Sequence, residues 1–364
     1  MDDAYMRRAL ELAERGRGLV SPNPLVGAIV VAGGEVVGEG WHEGPGTDHA
    51  EIRALGAAGP RARGATLYVT LEPCSHHGRT PPCAPRVADA APARVVAAIT
   101  DPNPLVDGAG LRLLRERGVE VTFGVLTEEA SRQNRAFLRH VRTGLPFVTL
   151  KMAASLDGKA AARDGSSRWI TGAEARHDVH LLRASADAIL VGAGTAFRDD
   201  PGLTVRLPSY RGAPKLRVVV DGRGIVPETH RLFDGEAPTL VATTERAPRE
   251  RREAWRRTAD VLELEDAGDG LIPLDRLMQE LGKRDVQHVL VEGGPTLAWE
   301  MVERDVVDEL ILYVAPVLVG GEGAPSVLMG GGTPSIGDGR GVTIREVSRV
   351  GADLKVVADV HRDR

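Results

Sequence analysis

His49-Ala50-Glu51 and, further on, Pro73-Cys74-Ser75-His76-His77-Gly78-Arg79-Thr80-Pro81-Pro82-Cys83 form the stretch that decides the fold. One histidine, two cysteines and a nearby carboxylate are the parts of a catalytic zinc site, because three N/S ligands leave one tetrahedral position open. Zinc lowers the pKa of a water held there to about 7. In this reading His49, Cys74 and Cys83 are the ligands, and Glu51 carries the proton between water and the leaving group. A structural zinc and a pair of inert or disulfide-bonded cysteines are the alternatives. The chain has two cysteines, and both fall in the ligand positions. A cytosolic chain would not keep a disulfide. Three ligands plus a carboxylate, rather than four closed ligands, favour the catalytic site.

Outward from this stretch, strand and helix alternate. Asp2 to Arg15 reads as an amphipathic helix, ended by Gly16 and Gly18. Ala28–Val31 is a buried strand, and Gly33-Gly34 turns it into Val36–Gly38. A helix beginning near His49 carries the histidine. Positions i and i+2 do not share a helical face, so His49 and Glu51 reach one point only at the start of that helix. Ala65–Thr70 is a strand that delivers Cys74, and a short helix starts near Cys83, where a helix N-terminus favours the thiolate. Val95–Ile99, a helix from Leu111 to Arg117 and Val119–Phe123 follow. This half is an α/β sandwich around one sheet. Pro-Asn-Pro-Leu-Val occurs at 22–26 and again at 102–106. Turn chemistry alone accounts for the repeat. Equally, Asn23 and Asn103 each offer one acceptor and two donors, which suits a pyrimidine edge.

A polar helix from Ser131 to Arg142 precedes the breaker Thr143-Gly144-Leu145-Pro146, so the domains are expected at 1–145 and 146–364. The second half opens with a strand at Phe147 and a turn at Asp157-Gly158. A helix over Ala173–Ala184 with Thr171 as its cap follows, then a strand into a Gly-rich turn over Ala188–Thr195, and strands at 216–220 and 239–244. Val289-Leu290-Val291-Glu292-Gly293-Gly294-Pro295 is strand, Gly-Gly turn and helix, with Pro295 suited to the first helical position. Such a turn lets a phosphate approach the backbone at a helix N-terminus. It is not the Gly-x-Gly-x-x-Gly fingerprint, so a standard Rossmann domain is not indicated. From Ser335 the chain reads as strands.

The 364 residues carry a net charge of −5 and 42% hydrophobic residues. No broad basic surface for nucleic acid follows from that balance. The start has no signal-peptide pattern, and no apolar run is long enough to span a bilayer. A cytoplasmic protein with no nucleic-acid or membrane partner is expected.

His-x-Glu…Pro-Cys…Cys is similar to the zinc-dependent nucleobase deaminases. The eight residues between Cys74 and Cys83 depart from their usual two and resemble the bifunctional riboflavin-biosynthesis deaminase–reductases. The second half resembles the reductase part of the same family through Lys-Met-Ala-Ala-Ser-Leu-Asp-Gly-Lys, Trp-Ile-Thr-Gly, Asp-Asp-Pro-x-Leu-Thr-Val-Arg and Val-Glu-Gly-Gly-Pro-Thr-Leu. The resemblance implies a cytidine-deaminase-like α/β/α sandwich followed by a dihydrofolate-reductase-like α/β domain. It further implies one zinc per chain, NADPH, a phosphorylated pyrimidine as small-molecule substrate, and a homo-oligomer.

Carried over by position, Asn23, His42, Arg79 and Asn103 would meet the substrate of the first domain. Ala153, Trp169, Thr195, Asp199, Gly222 and the run Gly294, Pro295, Thr296, Leu297, Ala298, Trp299 and Glu300 would meet NADPH. Ser167, Arg183, Leu203, Arg206 and Glu292 would meet the second substrate, and Asp199 is a further expectation for proton transfer. Relatives often have serine where Gly222 stands, so a side-chain bond is expected to be missing there. Lys151, charged within an apolar strand, either snorkels or orients the ribose. The implied reaction is deamination of a diaminopyrimidinone ribosyl phosphate, then reduction of its ribosyl chain to ribityl. The competing readings are a nucleoside or tRNA deaminase fused to an unrelated reductase, and a nucleotide sensor with a structural zinc.

Overall fold

The structure is a computed structural model that describes residues 1–75, 81–102 and 108–362. Arg79 and Asn103 therefore lie outside the described residues. The chain divides into two compact units, Met1–Gly144 and Leu145–Arg364. Among the described residues no helix is long and apolar enough to cross a membrane.

The first unit is built on β1 (Gly27–Ala32), β2 (Glu35–Trp41), β3 (Thr66–Leu71), β4 (Arg94–Ile99) and β5 (Glu120–Phe123), in the order β2-β1-β3-β4-β5. β1 runs antiparallel to β2 and β3, while β3, β4 and β5 are parallel. Helices α1 (Asp2–Ala13) and α5 (Thr127–Gln133) pack on one side, and α2 (Ala50–Ala58), α3 (Cys83–Asp89) and α4 (Ala109–Glu116) on the other. β4, flanked by β3 and β5, is buried on both faces and reads as a continuous Val/Ala/Ile run for that reason. Glycines bring α2 down onto β2. A Cβ on Gly38 would lie 2.2 Å from the Ala54 carbonyl oxygen, and one on Gly40 2.4 Å from that of Ala50. That close approach fixes the start of α2, where His49 and Glu51 stand.

One element differs from expectation. The single helix read over Ser131–Arg142 is two, α5 and α6 (Arg135–Thr143), broken at Asn134. The Asn134 amide is buried and pairs with both backbone groups of Leu25, at 2.8 and 2.9 Å. This demand outweighs helix continuity and pins the loop that carries Asn23.

The second unit holds β6 (Phe147–Ser155), β7 (Ala188–Gly192), β8 (Leu216–Val220), β9 (Thr239–Thr243), β10 (Asp260–Glu263), β11 (His288–Val291), β12 (Glu309–Ala315), β13 (Val342–Val350) and β14 (Asp353–Val360). Their order is β10-β9-β8-β7-β11-β6-β12-β14-β13, parallel from β10 to β12 and antiparallel at β14 and β13. Helices α7 (Ala173–Ser185), α8 (Ala193–Asp199), α9 (Arg249–Trp255), α10 (Leu274–Gly282) and α11 (Pro295–Glu303) accompany the sheet. Thr171 is not the cap of α7. Gly172 holds that position, and its N–H donates to Asp353 at 2.8 Å. The strand expected from Ala188 is β7, but the Gly-rich turn after it is the first turn of α8, capped by Gly192; Gly194 on its exposed face costs only about 1 kcal/mol.

Candidate active sites

In the first unit, three donors converge at the C-terminal edge of β3. His49 is the extended residue that begins α2, Cys74 follows β3, and Cys83 is the first residue of α3. His49 Nδ1 lies 3.0 Å from Cys83 Sγ and 3.6 Å from Cys74 Sγ, and all three donor atoms fall within 4.8 Å of one another. The Cys83 N–H donates to Cys74 Sγ at 3.3 Å. Hydrogen bonds, first from the Cys83 side chain, hold the Cys74 thiol below the usual range, and the same pairing pushes Cys83 up. Two thiols this close share one proton, which a divalent cation displaces on binding. The donor set and its spacing fit zinc.

Glu51, in the first turn of α2, is buried, and burial pushes its carboxyl up to about 7 against the opposing His49. Its Oε2 has no hydrogen-bond partner among the described residues. An orphaned, buried carboxylate oxygen beside three metal donors is placed to accept a proton from a reactant. The Asn23 amide donates to His42 Nε2 at 2.9 Å, and the His42 ring meets His49 edge-on at 5.4 Å between centroids. Asn23 and His42 thus join the same site.

Two residues that sequence reasoning passed over hold this site together: Asn134, described above, and Glu72. The buried Glu72 carboxylate, one residue from Pro73-Cys74, accepts backbone N–H groups of Asp101, Gly108, Gly110 and Leu111 at 2.9–3.3 Å. It ties the end of β3 to the start of α4. A carboxylate closing an otherwise apolar strand was the signal for it.

In the second unit Lys151, Arg183 and Glu292 meet beside the C-terminal end of β11. Glu292, directly after β11, is nearly fully buried and takes a two-pronged ion pair from Arg183 of α7 at 2.5 and 3.0 Å. The Lys151 ammonium of β6 lies 3.4 Å from Oε2, an oxygen it shares with Arg183. Burial alone would raise the Glu292 carboxyl; Lys151 and Arg183 reverse that and hold it at about 2. Lys151 therefore neither snorkels nor stands alone. Arg206 is exposed, and its backbone N–H donates to His180 Nδ1 at 3.1 Å. Burial and the flanking Arg183 and Arg206 hold the His180 imidazole near 4, so it accepts this bond as a neutral ring. Leu203 is buried with φ +47°, in a loop fastened through Gly202 by the fully buried Arg217.

The α11 start lies close to α8: Thr195 Oγ1 would be 3.1 Å from a Cβ on Gly294. Leu297 and Ala298 point into the core, so their backbone is what they offer a ligand. Pro295 is the first residue of α11, Thr296 is exposed, and Trp299 and Glu300 are half-buried. Ala153 pairs with Tyr313 of β12, and Ser167 is half-buried. Trp169 is exposed beneath the Arg176 guanidinium, 4.7 Å from its ring centroid. Asp199 ends α8 half-buried, with its carbonyl accepting from Arg168 at 2.6 Å.

Gly222 lacks a side-chain bond for a physical reason. A Cβ there would lie 1.9 Å from the Gly270 carbonyl oxygen. Gly222→Ser is thus expected to destabilise the protein by about 1–3 kcal/mol in chemical denaturation, since backbone must move to admit the side chain. An unchanged midpoint would show that Gly270 gives way freely.

Residues 1–99 match the family model for the cytidine and deoxycytidylate deaminase zinc-binding region, and 146–356 match that for the RibD C-terminal domain. The chain is 43% identical to the riboflavin biosynthesis protein RibD of Escherichia coli K12, covering 97% of this chain and 98% of that one. It is 44% identical to the protein of that name from Bacillus amyloliquefaciens over the full length of both. The chain belongs to the RibD family. Among solved structures, Acinetobacter baumannii RibD matches with a TM-score of 0.88 at 37% identity, over 99% of both chains. A Thermotoga maritima diaminohydroxyphosphoribosylaminopyrimidine deaminase/5-amino-6-(5-phosphoribosylamino)uracil reductase matches with the same TM-score at 35% identity, over 99% of both chains. Like other RibD-family members, this is a bifunctional deaminase and reductase of riboflavin biosynthesis. It joins a cytidine-deaminase-like fold to a reductase domain that calls for a nicotinamide cofactor.

Proposed function

We propose that the Met1–Gly144 unit hydrolytically deaminates a diaminopyrimidinone ribosyl phosphate, and that the Leu145–Arg364 unit then reduces its ribosyl chain to ribityl with NADPH. The observation that carries the first half is the convergence of His49, Cys74 and Cys83 beside a Glu51 oxygen that has no partner among the described residues. Zinc held by these three donors makes water nucleophilic near neutral pH. Glu51 takes the proton from the attacking water and delivers it to the departing amine; one C–N bond breaks, one C–O bond forms and ammonia leaves. Asn23, held by His42, directs its amide toward the pyrimidine.

NADPH would supply a hydride to C1′ of the ring-opened ribose, reducing its C1′–N double bond as the nitrogen takes a proton from solvent. The first turn of α11, whose leading N–H groups have no intrahelical partner, suits one of its phosphates. Arg206 is the exposed cation for the substrate phosphate, while Arg183 and Lys151 are shaped by Glu292. We also place the protein in the cytoplasm, which suits its two free thiols, and as a homo-oligomer, since Val342, Ile344 and Val347 on edge strand β13 are exposed.

The test is zinc-loaded protein with the diaminopyrimidinone ribosyl phosphate, with and without NADPH, followed by ammonia release and nicotinamide absorbance. Ammonia in both conditions and NADPH oxidation only after deamination is the expected result. Ammonia without oxidation removes the reductase half of the reading. Cys74→Ala is expected to lose bound zinc by elemental analysis and to lose deamination, while reduction of pre-deaminated substrate continues. Full zinc content in that variant would take Cys74 out of the ligand set.

A further inference from the structure

The turn after β6, Ser155–Lys159, has no role in the chemistry described so far, yet it is densely bonded. Asp157 is exposed, and its carboxylate is fully engaged. Oδ1 accepts from the Ser155 hydroxyl at 2.7 Å and the Val319 N–H at 3.0 Å, and Oδ2 from the Gly320 N–H at 2.7 Å. The rest of the turn grips the same distant segment. The Leu156 N–H donates to the Val317 carbonyl at 2.8 Å, the Lys159 ammonium to that of Ala324 at 3.1 Å, and the Val327 N–H to that of Gly158 at 3.2 Å. Further along, the Met329 N–H donates to the Pro295 carbonyl at 3.1 Å, and Gly330 lies so close to the Trp299 indole that a Cβ would come within 2.2 Å of it. Residues 317–330 form no named helix or strand, so their course depends on these ties. The segment is fastened at one end to the β6 turn and at the other to the first turn of α11.

We infer that Asp157 is a positioning residue for the reductase: it anchors the 317–330 strap, and the strap sets the first turn of α11 against the nicotinamide cofactor. This rests on the cofactor placement proposed above. Leu297 and Ala298 fix α11 from the core side, whereas its outer side is braced through Pro295 and Trp299. Charge-assisted bonds to backbone N–H groups are roughly twice as strong as neutral ones, so the carboxylate is the firm point of the strap. Loosening it shifts the outer side of α11 and leaves the core seat intact. Cofactor affinity is what such a shift costs.

The experiment uses the full chain with Asp157→Ala, Asp157→Asn and Lys159→Met, and NADPH as the probe. Asp157→Ala is expected to raise both KM and Kd for NADPH by about tenfold, with kcat within about twofold and ammonia release unchanged. Asp157→Asn, which keeps one acceptor, falls between it and the unaltered protein, and Lys159→Met moves the same way by less. Hydrogen exchange quickens at 317–330 and at 295–300 in Asp157→Ala. Faster exchange at 317–330 with unchanged NADPH affinity overturns the inference, as does unaltered exchange in both segments. Should NADPH fail to protect 295–300 in the unaltered protein, the cofactor placement itself falls. That outcome is separable from the others because it needs no variant.

Discussion

Glu51→Gln is expected to lower ammonia release by about 10²–10⁴-fold while bound zinc stays at the level of the unaltered protein. The substitution keeps the size of the side chain and removes its ability to carry a proton. Glu51 is buried at the start of α2, one of its oxygens lacks a partner among the described residues, and burial brings its carboxyl to about 7. A group with that affinity can take a proton from water and release it to an amine at neutral pH. Because the glutamine amide fills the same space, folding should be little changed, and reduction of pre-deaminated substrate provides an internal control. Deamination at the ordinary rate with zinc bound would assign the proton to another group. Loss of zinc together with activity would instead make Glu51 a structural part of the metal site.

The two halves of the molecule differ in how openly the sequence announces them. In the first, the zinc motif is local: each donor lies at an element boundary that turn and helix signals mark, and His49 falls at the start of its helix as the i, i+2 argument requires. What holds those donors is not local. Asn134 lies more than a hundred positions from Leu25, and its signal looked like an ordinary polar residue inside a helical pattern. Glycine misled in the second half. Gly192-Ala193-Gly194 reads as a turn, but packing of Ala196 into the core carries a helix through it. The ion-paired group around Glu292 was half visible. A lysine in the apolar strand Phe147–Ser155 calls for a buried counter-charge, yet nothing in one sequence says that the partner follows Val291 or that Arg183 joins it. Pairings across a sheet are set by topology, and topology is what a single sequence conveys least.

That buried group carries the second large effect. Glu292→Gln is expected to lower NADPH oxidation by about 10²-fold or more, since a misplacement of about 1 Å in a positioned group can cost that much. The carboxylate is the shared counter-charge of Lys151 and Arg183, all three largely buried, and a neutral amide leaves both cations without it. Breaking a buried pair from one side costs about 3–5 kcal/mol, so the variant should also unfold at markedly lower denaturant. The unaltered protein makes a matching prediction with pH. The Glu292 carboxyl is held at about 2 in the folded chain, against 4.5 ordinarily. A depressed carboxylate contributes stability that is fully present above its unfolded value and is lost as pH falls from there through the folded value. The contribution is about 3 kcal/mol, at about 1.4 kcal/mol per pKa unit. Urea midpoints of the Leu145–Arg364 transition, taken from neutral pH down toward the acid limit of folding, should fall more steeply in the unaltered protein than in Glu292→Gln. Parallel curves for the two proteins would mean that Glu292 is not the anion on which Lys151 and Arg183 depend, and full NADPH turnover in the variant would remove it from the reductase site altogether.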